Sequence, residues 1–162
     1  VTAGNICRAD STNLSFVPSA SFDLVFSGYI DCLIDPLNLL RNTTMDVETR
    51  WKESDRRCKS KDPEDQRIAA LEQEAQDQWY NLWVQEMLRI AKPGAAVIIE
   101  QVMFPLCEVR DDDWGGVSVF FWLNGTDLFG WDIDPNATKI LPTTINRRYN
   151  VVMKKLASAA TE

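Results

Sequence analysis

The side chains able to do chemistry gather at three places. Asp10 follows a short strand-like run, Asn5–Ala9, and is backed by the turn formers Ser11, Thr12 and Asn13. Ser27, Gly28 and Tyr29 follow a second apolar run, Phe22–Phe26. Asp111, Asp112 and Asp113 open a loop ahead of Trp114 and an aromatic-rich stretch. A carboxylate at the carboxyl end of a strand in an open α/β sheet can accept a hydrogen bond from a ligand in the crevice there. It can equally cap its own turn through backbone N–H groups two residues on. Glycine after a strand admits a ligand close to the backbone, or serves only the turn. The three aspartates suit a cation or a general base, or form a solvated acidic turn.

Composition removes other chemistries. The 162 residues contain no histidine, which excludes Ser-His-Asp triads, Cys-His dyads and His-ligated zinc or iron built from this chain alone. A net charge of −7 argues against a general binder of nucleic-acid phosphates. Cys7, Cys32, Cys58 and Cys107 are far apart with no CxxC pair, so no metal site is expected and scattered buried thiols are the plain reading. Disulfides are the alternative and need an oxidising compartment. No apolar run approaches the length of a membrane span. With 45% apolar residues the chain can build one globular core.

The elements that position these groups follow from hydrophobic pattern. Phe22–Phe26 is almost continuously apolar, which predicts a strand buried on both faces of a parallel sheet. Residues 46–65 are crowded with charges of both signs and read as a solvated insertion. Asp62-Pro63-Glu64-Asp65 is a helix start, with an Asp cap, proline in the first turn and acids at the positive end of the dipole. Ile68, Leu71, Ala75, Trp79, Leu82, Trp83, Met87 and Ile90 recur at three- and four-residue steps and give that helix one packing face. Lys92-Pro93-Gly94 stops it, and Ala95–Val102 is the strand that follows, completing a β-α-β unit. Beyond it, Val117–Leu123 reads as a strand, residues 124–146 as a turn-rich crossing, and Arg148–Leu156 as the last strand.

Three motifs in order resemble the C-terminal part of a class I S-adenosylmethionine-dependent methyltransferase, of the small-molecule, type 11-like kind. They are Asp10-Ser11-Thr12-Asn13-Leu14-Ser15-Phe16, Ser21-Phe22-Asp23-Leu24-Val25-Phe26-Ser27, and Glu86-Met87-Leu88-Arg89-Ile90-Ala91-Lys92-Pro93-Gly94-Ala95-Ala96-Val97-Ile98-Ile99-Glu100. The segment Asn146–Lys155 is similar to the family's final strand. The resemblance implies an α/β fold: an incomplete Rossmann-like methyltransferase sheet with parallel strands and a C-terminal antiparallel strand pair. One domain would span residues 1–156, with the charged insertion at about 40–65 and a frayed tail over 157–162. It implies S-adenosyl-L-methionine as cofactor, with Asp10 accepting from the adenine amino group and the Ser11 backbone meeting the ring edge. Ser27, Gly28 and Tyr29 would lie beside the methionine part. Asp23 stands in the family's acidic slot, where a structural role is expected.

The family's first strand, its Gly-x-Gly-x-Gly loop and its ribose-binding acid have no counterpart in the chain, so weak cofactor binding is expected from it alone. A C-terminal fragment is the expectation, with an upstream segment or a partner chain completing the sheet and covering a bare hydrophobic edge. Trp114, Trp122 and Trp131, with Asp113, are candidates for a pocket that holds a small-molecule acceptor, the alternative being core packing. Methyl transfer needs chiefly alignment of an electrophilic methyl with its acceptor, so missing imidazole does not exclude it.

Two rival readings stand beside the enzyme. One is a non-catalytic scaffold or binding subunit with a partial methyltransferase fold. The other is an NAD-linked Rossmann enzyme, disfavoured because no Gly-x-Gly-x-x-Gly is present. Four Asn-x-Ser/Thr sequons, at Asn13, Asn42, Asn124 and Asn136, exceed the about one expected by chance and admit a lumenal or secreted protein. A glycan at Asn13 would obstruct the adenine loop, and cytoplasm is the first expectation.

Overall fold

The structure, a computed structural model, describes residues 10–27, 47–100, 130–142 and 149–157. In chain order the elements are β1 (Phe22–Ser27), α1 (Val47–Lys59), α2 (Pro63–Ile90), β2 (Ala91–Glu100), β3 (Lys139–Pro142) and β4 (Tyr149–Lys154). The expected strands at Asn5–Ala9 and Val117–Leu123 lie outside the described residues.

The sheet has the order β1-β2-β4-β3. β1 pairs parallel with β2, while β4 is antiparallel to both β2 and β3. β1, β2 and β3 therefore run one way, and β4 is inserted between β2 and β3 against them. β3 falls inside the segment expected to be a turn-rich crossing. Four residues with a proline at the end leave too little periodicity to mark a strand, and its pairing with β4 supplies what local sequence lacks.

α2 begins as its sequence dictates, with the Asp62 carboxylate accepting the N–H groups of Glu64 at 2.9 Å and Asp65 at 3.1 Å. Its end is closed by partners from three other segments. The Met87 carbonyl accepts from Ala91 N–H, Leu88 from Lys155 Nζ at 2.7 Å, Arg89 from Ala20 N–H at 2.9 Å and Ile90 from Ser21 N–H at 2.8 Å. A helix end leaves four carbonyls without intrahelical donors, and here all four are satisfied. The chain turns extended at Ala91, before the Lys-Pro-Gly sequence. Lys92–Ala95 instead form a bulge: Phe22 is opposite Ala91 and Leu24 is opposite Ala96. Gly94 sits there at φ 75, and its N–H donates to Lys155 O at 3.1 Å.

The core lies between α2 and one face of the sheet. Tyr80, Trp83, Val84, Met87 and Leu88 pack on Val25, Val97, Ile99, Val151 and Met153. The expected helix face is partly shifted, since Leu82 is exposed and Tyr80, Val84 and Leu88 are buried in its stead. Trp79, Tyr80 and Trp83 form an aromatic cluster, Trp79 stacking on Trp83 at 5.2 Å between centroids.

Two further expectations are corrected. β1 is not buried on both faces: Val25 meets the core, whereas Phe22, Leu24 and Phe26 are 45%, 55% and 60% exposed. α2 covers one side of this sheet, so continuous hydrophobicity marked an apolar row without a cover among the described residues. The charged stretch is not merely solvated chain either. It forms α1, which buries Ser54 completely against α2. Glu72, 2% exposed on α2, accepts from Ser54 Oγ at 2.9 Å and from Arg57 Nη1 at 2.6 Å. Arg56 forks onto Asp65 at 2.7 and 3.0 Å. These ion pairs and hydrogen bonds join α1 to the first half of α2, contacts that hydrophobic periodicity does not reveal.

Candidate functional site

The parallel pairing places Ser27, the last residue of β1, opposite Ile99 near the carboxyl end of β2. This is the edge at which open α/β sheets bind ligands. Gly28 and Tyr29, the neighbours expected to share that site, lie outside the described residues, as do Asp113, Trp114 and Trp122.

Asp10 and Ser11 open a turn. Asp10 Oδ1 accepts from Thr12 N–H at 2.9 Å and from the Thr12 hydroxyl at 2.7 Å, and its carbonyl accepts from Asn13 N–H at 3.1 Å. The Thr12 hydroxyl, with help from the Thr12 amide, holds the Asp10 carboxyl below its ordinary range. It is therefore an ionised acceptor at neutral pH. Both side-chain bonds fall on Oδ1, so capping its own turn leaves Oδ2 with no bond among the described residues. The turn role and the ligand role are compatible in one side chain.

The segment after this turn is held on α2 by two residues of the third motif. Leu14 N–H donates to Glu86 Oε2 at 2.7 Å, and Arg89 donates to the carbonyls of Leu14 at 2.8 Å and Val17 at 2.9 Å. Arg89 also forks onto Glu86 at 2.7 and 2.9 Å, and this contact lowers the Glu86 pKa and raises that of Arg89. The sequence marks Arg89 only as part of a motif. Its reach to Leu14 and Val17 is a long-range contact that spacing along one helix does not announce. Asp23 binds Lys92 Nζ through both oxygens at 2.8 and 2.9 Å, tying β1 to the bulge.

Trp131 is 8% exposed within the core, and its indole N–H donates to Asn81 Oδ1 at 2.9 Å. Cys58, at the end of α1, is in a disulfide whose partner lies outside the described residues. This corrects the reading of all four cysteines as free thiols. Among the described residues no three acidic or cysteine side chains are grouped as a metal would require, and no helix is long and apolar enough to cross a membrane. Comparison of the chain with protein-family models, with curated proteins and with solved structures finds no match in any of the three.

Proposed function

We propose that the chain is the back portion of an S-adenosylmethionine-dependent methyltransferase acting on a small-molecule acceptor, with a Rossmann-like sheet. The observation that carries this is the coincidence of motif order with strand direction. The second and third motifs form the parallel pair β1–β2, and the final segment returns antiparallel between β2 and β3. Parallel strands closed by an antiparallel pair are what the three motifs imply. Asp10 and Ser11 hold the adenine, and Ser27, Gly28 and Tyr29 the methionine part. Trp114, Trp122 and Asp113 remain the candidates on the acceptor side, whereas Trp131 takes the alternative role of core packing. An upstream segment or a partner chain supplies the glycine loop and pairs beyond β1, which has one paired neighbour among the described residues.

Of the two compartments weighed, cytoplasm and the lumenal or secreted route, the Cys58 disulfide favours the second. The test of activity is ligand-observed NMR on the chain with millimolar S-adenosylhomocysteine, a concentration suited to weak binding. Saturation transfer to the adenine protons is expected, and Asp10→Ala should remove most of it. Silence in the unmodified chain would leave the scaffold subunit, whose docking surface is the exposed row on β1.

A further inference from the structure

Asn136, Ala137 and Thr138 form an Asn-x-Thr sequon in a turn between the Ile133 bridge and β3. Asp134 holds this turn from within. Its carboxylate accepts Asn136 N–H at 2.9 Å, and its carbonyl accepts Ala137 N–H at 3.2 Å, Thr138 N–H at 3.0 Å and the Thr138 hydroxyl at 2.9 Å. The Asn136 carboxamide takes part in none of these bonds and is exposed. A bulky group on its nitrogen would break nothing that holds the turn. A second observation is independent of the first: Cys58 is in a disulfide, a bond that persists in the compartments where sequons are glycosylated.

We infer that Asn136 is an N-linked glycosylation site and that the chain matures in an oxidising, secretory compartment. In the transfer, the Asn136 carboxamide nitrogen attacks the anomeric carbon of a lipid-pyrophosphate-linked oligosaccharide. A C–N bond forms, the anomeric C–O bond breaks, the lipid pyrophosphate leaves with the electron pair, and the amide nitrogen gives up one proton to a base of the transferase. Asn136 precedes Lys139, the first residue of β3, which runs parallel to β1 and β2. In register Lys139 is opposite Val152 and, through it, Ile98, so a glycan there stands at the β3 edge of the sheet, separated from Ser27 on β1 by β4 and β2, and is compatible with a ligand at the carboxyl end of β1. Asn13 is different. It is also exposed, but a glycan on it would crowd Asp10, and the adjoining Leu14 is bound to α2 through both backbone groups. The inference is confined to Asn136.

The test uses the full-length protein isolated from the cells that make it, with free thiols alkylated before reduction. Digestion with peptide N-glycosidase in heavy-oxygen water should convert residue 136 to a labelled aspartate, and Cys58 should be alkylated only after reduction. Recovery of residue 136 as unmodified asparagine overturns the site, and alkylation of Cys58 before reduction overturns the compartment. In secretory expression of the same chain, Asn136→Gln and Thr138→Ala should each lose one glycan's mobility step while Thr138→Ser keeps it. A pattern unchanged by Asn136→Gln sinks the inference as well.

Discussion

Arg89 Nη2 donates to the Leu14 carbonyl at 2.8 Å across 75 residues of sequence. With Glu86 accepting Leu14 N–H, both backbone groups of one loop residue are bound by a single turn of α2. The loop that carries Asp10 is therefore indexed to the helix that precedes β2. The same loop holds Ala20 at φ 54, a conformation that side-chain-bearing residues avoid, with its N–H bonded to Arg89 O.

Replacing Arg89 by Lys keeps the charge and loses the fork that reaches Val17, Leu14 and Glu86 together. The expected outcome is a locally opened segment 14–20 in an otherwise folded chain. Limited proteolysis should show cleavage there on the order of tenfold faster than in the parent, with the far-ultraviolet spectrum unchanged. Cleavage at the parental rate would mean that the Val25 strand and its turn hold the loop without the clamp.

Acid should loosen two contacts in sequence. Arg56 holds the Asp65 carboxyl down to about 2, and Arg89 holds Glu86 below its ordinary range. Groups whose folded pKa is depressed stabilise the fold above their unfolded pKa, about 4 for these carboxylates. That contribution is lost as pH falls through the folded value. The melting temperature should show no dependence on these two groups between pH 7 and 5 and should fall below about pH 4. Asp65→Asn should flatten the fall in the window from about 4 to 2, and added salt should weaken the effect because Arg56 is largely exposed.

Glu72 is the buried counterpart of those surface pairs. Removing its carboxylate in Glu72→Ala strands the Ser54 hydroxyl and deprives Arg57 of its shortest partner. Such loss costs about 2–3 kcal/mol, read as a lower urea midpoint at unchanged slope. Glu72→Gln retains an acceptor for Ser54 and should cost about half as much. Equal losses in both variants would assign the energy to charge alone.

How much of this was legible beforehand differs from element to element. The start of α2 and the presence of a strand on either side of it follow from Asp62-Pro63, from helical spacing and from the apolar runs at Phe22–Phe26 and after Lys92-Pro93-Gly94, because those signals are local, although the two-sided burial read from Phe22–Phe26 does not hold. α1 was concealed since the buried contacts described for it join Ser54 and Arg57 to Glu72, residue types that a hydrophobic pattern counts as surface. β3 was concealed by brevity, and the closing of α2 by Lys155, Ala20 and Ser21 because each comes from a distant segment. At the candidate site, Asp10 was identifiable as a carboxylate at the head of a turn, while the clamp that fixes its loop depends on contacts 72 and 75 residues away. Trp131 entered as a pocket candidate, and its indole bond to Asn81 is visible only once the chain has folded.

The exposed row on β1 gives the last prediction. Phe22, Leu24 and Phe26 alternate with Asp23 and Val25, so they share one face, and Phe26 continues across the sheet to Ile98 and Val152 in register. Large exposed apolar side chains in a contiguous row mark a surface that is covered in use or that drives self-association. Phe26→Lys should change stability by no more than about 0.5 kcal/mol, because the side chain is already mostly in water. It should also lower the weight-average mass in sedimentation equilibrium wherever the parent chain associates. Val25→Lys, one residue away on the core face, should instead unfold the sheet, since burying an ammonium among Val97 and Met87 leaves it without a partner. If Phe26→Lys were as destabilising as Val25→Lys, the row would have to be packed in the folded chain, and no docking partner could use it.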